Sequence, residues 1–351
     1  MLLGIEIGGT KLQLGVGLPD GSALVELVRL DIDPRRGATG ILEQISATAP
    51  GLIRRHHVTA IGCGFGGPVD VDAGRVVKSH HIAGWTDFPL GTWLTRQFGL
   101  PAMVANDADT AGLAEALFGA GRGANPVFYI TIGTGIGGGL IIDGQIYRGN
   151  GAGAAELGHM RPGLQFDHPE ANLESFASGW GIAAAAQERL LHPTPHRINV
   201  VAAGKKVKRP DELRQRLIEI EEADEEHVAD LMERCHGEPE SLTTRMVGEA
   251  AAAGNQLALD ILRRAWQALG WGIAQMITLL APERIVIGGG VSLMGEDLLF
   301  RPLRAEVDRY IFPPLAGTFE IVPAKLGEEM VVYGALALAA EASTDNAGTR
   351  G

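Results

Sequence analysis

Three glycine clusters have the composition of phosphate-binding turns, and each directly follows an apolar run. They are Gly8, Gly9, Thr10 and Lys11; Gly133, Thr134 and Gly135; and Gly288, Gly289 and Gly290. Because glycine has no Cβ atom, its backbone can approach an anion closely and direct several N–H groups at it. A single cluster is equally typical of a tight hairpin turn, but three clusters at predicted strand ends favour phosphate binding.

The same residues do not fit two other phosphate-binding designs, the dinucleotide-binding turn and the P-loop. Residues 133–138 and 62–67 both match the dinucleotide-binding pattern GxGxxG. The first continues into an apolar strand and the second into Pro68 and a turn, so neither opens the helix that must face a pyrophosphate. The P-loop pattern GxxxxGK[ST] is absent from the sequence. A Rossmann dehydrogenase is therefore disfavoured.

Asn106 and Asp107 lie where a predicted strand, 102–105, gives way to a predicted helix, 109–118. On local sequence alone, helix capping is the more frequent role for such a pair. The functional interpretation makes Asp107 a general base in a cleft and Asn106 a hydrogen-bonding partner of a polar substrate. Both roles are compatible, because a strand end next to a helix start holds a carboxylate rigidly.

Glu156, His159 and Glu174 supply polar groups in a stretch that is otherwise rich in Gly and Ala. Donors and acceptors at this spacing suit several hydroxyls of one sugar. A di-metal site of the ExxH kind would need a second copy of that motif paired with this one on another helix, so it is not the favoured interpretation.

Strands and helices must hold these candidate site residues in position. A strand, a glycine turn and a second strand open both halves, at 2–18 and 127–146, which indicates two related β-rich domains rather than one large sheet. The second half is mainly helical, with a long buried helix predicted at 255–280. Residues 189–242 are first basic and then acidic, which is more typical of an exposed helical insertion than of a partner-binding patch.

Composition narrows the classes of protein. The 351 residues are 46% hydrophobic and carry a net charge of −12, so neither nucleic acid nor an anionic membrane is an expected partner. Cys63 and Cys235 are far apart, which excludes a disulfide framework. The N-terminus lacks the charged start of a signal peptide, and the uncharged stretch 265–282 contains glutamines. We therefore expect a cytoplasmic protein.

The motifs, in their order and spacing, resemble the ROK family of sugar kinases and repressors. The segments that carry the resemblance are GIEIGGTK at 4–11, GFGGPVD at 64–70, VANDAD at 104–109, TIGTGIGGG at 131–139, ELGH at 156–159, LESFASG at 173–179 and PERIVIGGGVS at 282–292. The resemblance spans nearly the whole chain and is weak only at about 189–242.

The resemblance implies an α/β, actin-like (ribonuclease H-like) ATPase fold with two domains and an interdomain cleft. It implies an N-terminal domain at 1–118 that a C-terminal helix at about 328–341 closes. A larger domain would span 119–327, with the insertion at 189–242, and a flexible tail 343–351.

The implied activity is ATP-dependent phosphorylation of a hexose, with glucokinase activity as the first expectation. Fructokinase, N-acetylhexosamine kinase and a non-catalytic sugar sensor are the alternatives, and polyphosphate is an alternative donor. Relatives usually form dimers, so a homodimer is expected. The repressors carry an N-terminal helix-turn-helix that this sequence lacks before its first phosphate loop, so DNA binding is not expected.

Carried over position by position, the resemblance makes Asp107 the base and gives the other motif residues ligand roles. The sugar ligands would be Asn106, Glu156, His159 and Glu174, with Gly66 or Gly67 nearby. The phosphates would contact Gly8, Gly9, Thr10, Lys11, Gly133, Thr134 and Gly135, and the nucleoside would lie near Gly289 and Gly290. Mg²⁺ would be held through water by Glu6.

This sequence departs from the family pattern at several positions. Glu6 stands where most members have Asp, and His81 stands near a position that is usually Asn, which suggests an altered substrate. The cysteines of the family's zinc motif are replaced by Gln165, Asp167 and Asn172, so no zinc is expected. A hard metal at His159, Asp167 or His168 is a less favoured alternative.

Overall fold

The structure, a computed structural model, describes residues 1–79, 82–150, 153–163, 168, 170–192 and 225–348. Within these ranges the strands are β1 Leu2–Ile7, β2 Lys11–Gly17, β3 Glu26–Asp31, β4 Ile61–Phe65, β5 Val69–Asp70, β6 Arg75–Val76, β7 Ala102–Asn106, β8 Val127–Ile132, β9 Ile136–Ile142, β10 Gln145–Ile146, β11 Arg284–Gly288 and β12 Glu320–Pro323. Its α-helices are α1 Gly37–His56, α2 Leu90–Phe98, α3 Asp107–Phe118, α4 Leu173–Ala177, α5 Gly179–Leu191, α6 Thr244–Ala252, α7 Gln256–Leu280, α8 Arg301–Tyr310 and α9 Met330–Gly348, and residues 225–234 are also helical.

The first sheet has the strand order β3-β2-β1-β4-β7. The pairs β1/β2 and β2/β3 are antiparallel, and β1, β4 and β7 run parallel. Ile7, Phe65 and Asn106 lie side by side in the register of the parallel strands. Because parallel strands end at one edge of a sheet, the segments that follow β1, β4 and β7 meet there.

The second sheet repeats this plan with the order β10-β9-β8-β11-β12. Again two antiparallel pairs come first, and β8, β11 and β12 run parallel. The turns that follow β8 and β11 therefore lie at a common edge, as the corresponding turns of the first sheet do. The shared order agrees with the two related halves that the sequence pattern indicates.

Helix α9 returns from the second sheet to pack on the first. A Cβ atom at Gly62 would collide with Ala335 O, and one at Gly334 would collide with Thr110 O, so glycine permits the close approach of α9 to β4 and to α3. This helix covers most of the range 328–341 for which the family resemblance implies a helix that closes the N-terminal domain.

Helix α9 is longer than the sequence analysis predicted. It continues to Gly348, so residues 343–348 of the expected flexible tail are helical, and 349–351 lie outside the described residues. The Ser343 hydroxyl donates to Ala339 O and the Thr344 hydroxyl to Glu341 O. Because these bonds follow the helix, the two polar residues do not stop it.

The hydrophobic core of the second half of the chain surrounds α7. Trp266 and Ile273 of this helix are buried, and Asn255 caps its first turn. The predicted helix at 255–280 is present with nearly the same bounds. The expectation of an exposed insertion at 189–242 is wrong in part, since Leu231, Cys235 and Leu242 are buried in this core. The charged residues of this segment favour exposure, but its apolar residues pack into the core. The basic run at 205–209 and all but the last two residues of the acidic run at 219–226 lie outside the described residues.

None of the helices in the described ranges is both long enough and apolar enough to span a membrane.

Candidate active site

Asn106 caps α3 and also fixes a neighbouring loop. Its Oδ1 accepts the N–H groups of Ala108 at 2.8 Å and Asp109 at 3.3 Å, and its Nδ2 donates to Gly67 O at 3.0 Å. The capping interpretation is therefore confirmed. The same bonds hold the turn after β4 against the start of α3.

Asp107 is the first residue of α3 and lies beside this turn. Its Oδ1 accepts the Ala108 N–H at 2.9 Å, and a Cβ atom at Gly66 would lie 3.4 Å from its Oδ2. Burial first, and then the charges of Glu6 and Glu156, raise the pKa of Asp107 to about 6, against the opposing Ala108 hydrogen bond. A carboxyl group with a pKa near the working pH suits general base catalysis.

A cavity of about 460 Å³ opens next to Asp107 and is lined from both halves of the chain. Its walls include Glu6, Lys11, Asp107, Thr131, Gly288, Gly289 and Gly290. A second cavity of about 990 Å³ has Gly133, Thr134, Trp180, Arg245 and Gly290 in its walls. Gly290 and Leu293 belong to both cavities, so the predicted glycine turns after β8 and β11 border adjoining space.

Other predicted phosphate residues have local roles in the backbone. Gly8 N–H donates to Lys11 O at 3.0 Å and closes the hairpin between β1 and β2, which also contains Gly9 and Thr10. A Cβ atom at Gly135 would lie 2.5 Å from Glu174 Oε2. Gly135 thus gives the Glu174 side chain room against the turn after β8.

Glu6 is a buried carboxylate in the wall of the smaller cavity. Its Oε2 accepts from Gln13 Nε2 at 2.6 Å, and its Oε1 lies 3.4 Å from Lys11 Nζ. Burial raises the pKa of Glu6 in spite of these two partners. Since two acidic residues, Glu6 and Asp107, line one cavity, the residues fit a hard divalent cation such as Mg²⁺.

The predicted sugar ligands Glu156, His159 and Glu174 surround the start of β9. Glu174 Oε2 accepts the Ile136 N–H at 2.9 Å, and a Cβ atom at Gly158 would collide with Ile136 O. Partial desolvation and the Glu174 charge raise the pKa of Glu156, whereas His159 lowers it. The structure therefore brings these three side chains within electrostatic reach of one another.

Asp109 is a site residue that the sequence analysis left without a role. It shares a small cavity with Asn106, Arg148 and Glu156, and within the described ranges its buried Oδ1 has no hydrogen-bond partner. Burial, with the charges of Glu156 and Asp107, raises its pKa to about 7, and Arg148 opposes the shift. An acidic residue in a first helical turn is usually explained by the helix dipole, so the sequence alone gave no separate signal.

Asp109→Asn should stabilise the fold. The pKa of Asp109 rises from 3.8 to about 7 on folding, so ionisation opposes folding increasingly across that interval and fully above it. We expect the amide to raise the free energy of unfolding by about 1–2 kcal/mol near pH 8 and by clearly less near pH 5. Thermal denaturation at both pH values measures this, with exposed Asp308→Asn as the control. Equal gains at the two pH values would contradict it.

Only some of the residues on which the expected absence of zinc depends lie within the described ranges. Asn172 caps α4, its Oδ1 accepting the Ser175 N–H at 2.9 Å. His168 lies 3.4 Å from Glu170, while His81, Gln165 and Asp167 lie outside the described residues. Within the described ranges, no group of three or more His, Cys, Asp or Glu side chains is arranged to hold a metal ion.

Comparison with known proteins yields whole-chain matches. The profile of the ROK family matches residues 2–342. A glucokinase of Thermotoga maritima is 30% identical over 340 residues, which cover 97% of each chain. The crystal structure of a ROK family glucokinase from Streptomyces griseus, in complex with glucose and AMPPNP, is 30% identical and superposes with a TM-score of 0.73, covering 97% of this chain and 99% of the other.

The crystal structure of a ROK hexokinase from Thermus thermophilus is 26% identical and superposes with a TM-score of 0.74, covering 98% of this chain and 99% of that one. The two solved structures confirm the predicted actin-like α/β fold with its interdomain cleft. The motifs, the duplicated sheet order and these matches together show that this chain belongs to the ROK family.

Proposed function

We propose that this protein is an ATP-dependent hexose kinase with glucose as its first candidate substrate. The observation that carries the proposal is the position of Asp107. It stands at the end of a parallel strand, beside the Gly66 turn, and faces the cavity that Glu6, Lys11 and the glycines after β11 also line. The similarity to glucokinases over nearly the whole chain supports the same assignment.

In the proposed reaction, Asp107 accepts the proton of a sugar hydroxyl as its oxygen attacks the γ-phosphorus in line. A new O–P bond forms, the bond from the γ-phosphorus to the bridging oxygen breaks, and ADP leaves with that electron pair. A pKa of about 6 leaves Asp107 largely ionised at neutral pH and still basic enough to take the proton. The hydrogen bonds of Asn106 to Gly67 O and to the Ala108 and Asp109 N–H groups fix the backbone that carries this carboxylate.

The other site residues are assigned to the sugar on one side of Asp107 and to the nucleotide on the other. We assign the sugar to Asn106, Glu156, His159 and Glu174, with Gly66 or Gly67 nearby. The nucleoside is assigned to the space beside Gly289 and Gly290. The phosphates are assigned to the turns that contain Gly8, Gly9, Thr10, Lys11, Gly133, Thr134 and Gly135. Mg²⁺, held by Glu6 through water, would neutralise phosphate charge during the transfer.

The two domains of the proposed enzyme are 1–118, closed by α9, and 119–327. Closure of the cleft around bound sugar would exclude water, which otherwise competes with the sugar as acceptor. The homodimer and the cytoplasmic location stay predictions.

A coupled ADP-release screen tests the function. Glucose, fructose, mannose, allose and N-acetylated hexoses are each offered with Mg-ATP, and glucose with polyphosphate forms a second arm. We expect sugar-stimulated ADP release, highest with glucose. Sugar binding without ADP release, seen by calorimetry, would favour the sugar sensor instead, and phosphorylation with polyphosphate alone would overturn ATP as the donor.

A further inference from the structure

We propose that Glu115 is a positioning residue that holds one wall of the cavity next to Asp107. It would do so by tying together the two segments that connect the halves of the chain. The inference rests on the proposed kinase function for its kinetic consequence, but its structural part can be measured independently.

Glu115 lies near the end of α3, and its side chain is completely buried. Its Oε2 accepts the Ala120 N–H at 2.7 Å, and its Oε1 accepts the N–H groups of Lys325 and Leu326, both at 2.8 Å. All three donors are backbone amides. Hydrogen bonds from N–H groups to a carboxylate are stronger than those between neutral groups, particularly away from water.

The donors come from two separate connections. Ala120 belongs to the segment between α3 and β8, where the chain passes from the first half to the second. Lys325 and Leu326 belong to the segment between β12 and α9, where the chain returns. One carboxylate therefore joins both connections to the helix that begins with Asp107.

The first connection is shaped around this carboxylate. A Cβ atom at Gly119 would collide with Glu115 Oε2, and one at Gly121 would lie 3.0 Å from Glu115 O. Arg284 Nη1 donates to Ala120 O at 3.1 Å and secures the same turn from the second sheet. Glycine at these positions allows the backbone to wrap closely around the end of α3.

The second connection forms part of the cavity. Ala324, Gly327 and Glu328 line it, together with Asp107 and Glu6. Glu328 O accepts from Gln13 Nε2 at 3.3 Å, and Gln13 Nε2 also donates to Glu6 at 2.6 Å. The segment that Glu115 holds therefore contacts the residue that orients Glu6.

Loss of Glu115 should affect ATP and the sugar differently. Loss of the Glu115 bonds would release the wall at 324–328 and disturb the Glu6 side of the cavity. Among the assigned sugar ligands, Glu174 is held by the Ile136 N–H at the start of β9, and Glu156, His159 and Glu174 do not line the cavity that this wall borders. We therefore expect nucleotide binding and phosphoryl transfer to suffer, with sugar affinity retained.

The test uses Glu115→Gln in the full-length protein. The amide removes the charge and turns one acceptor into a donor that faces a backbone N–H. We expect the KM for ATP to rise about tenfold and the sugar Kd to change less than about twofold. Hydrogen exchange at the amides of Ala120, Lys325 and Leu326 should become faster.

Asn255→Ala is the matched control, because Asn255 is another buried polar residue, with bonds to Ala258 N–H and to Asp230. It should lower thermal stability without altering the KM for ATP. Equal effects of the two variants, or parallel losses for sugar and ATP, would overturn the inference. If Glu115→Gln does not fold, Gly119→Ala, which crowds the same carboxylate, should show the same split.

Different results would contradict the kinase function and the positioning role of Glu115. A wild-type protein that releases no ADP would contradict the kinase function, and the effect of Glu115→Gln would then be measured as ATP affinity by calorimetry. Unchanged exchange at the three amides in Glu115→Gln would defeat the inference even in an active kinase.

Discussion

Asp107→Asn should lower kcat by about a hundredfold to ten-thousandfold while the sugar Kd stays within about threefold of the wild-type value, because general base catalysis contributes factors of this size. The asparagine keeps an oxygen for the Ala108 N–H but cannot take the sugar proton. Steady-state kinetics at saturating sugar and calorimetric titration of the sugar measure the two quantities. A loss of less than about tenfold would exclude Asp107 as the base.

The pH dependence of the wild-type enzyme belongs to the same prediction. The pKa of Asp107 is raised to about 6, so the base is progressively protonated as the pH falls through this value. The kcat/KM should fall about tenfold per pH unit below about pH 6, and the residual activity of Asp107→Asn should lack this limb. Asp308→Asn, at an exposed position, should keep the wild-type profile. An identical acid limb in Asp107→Asn would assign it to another group.

Glu156→Gln should weaken sugar binding by about 10- to 100-fold, because a hydrogen bond from a hydroxyl to a charged acceptor contributes about 1.5–3 kcal/mol. The KM for ATP should change little, since Glu156 lies with His159 and Glu174 around the start of β9 and not in the cavity beside Glu6. Titration calorimetry with the best sugar of the screen measures the effect.

The control for this variant is Glu170→Gln. Glu170 is exposed and contacts His168, so its replacement should leave sugar affinity unchanged. Equal sugar affinities of wild type and Glu156→Gln would remove Glu156 from the sugar site.

The strand ends and the candidate base could be predicted from the sequence because they depend on local signals. Apolar runs that end in Gly8, Gly133 or Gly288 mark strands followed by close turns, and Asn106 before a helix marks a cap. The strand, turn and strand that open both halves also predict two related halves, and the structure shows the same strand order in their two sheets. The family resemblance then assigned roles that local patterns left open.

Other features could not be predicted because they arise from contacts between distant segments. Asp109 is distinctive only because Glu156 and burial act on it. The partners of Glu115 Oε1 lie more than 200 residues further along the chain. Gly135, which the sequence predicts to contact phosphate, also makes space for Glu174 in the structure. Such roles become visible only when both segments are in place.

Phosphorus NMR of the product tests the central claim most directly. The protein is incubated with glucose and Mg-ATP, and Asp107→Asn is examined at the same sugar occupancy, set from its measured Kd. We predict that a sugar phosphate resonance grows together with ADP in the wild type and stays below detection over the same period in the variant. Sugar bound by both proteins, with no sugar phosphate from the wild type or with equal amounts from both, would contradict the account.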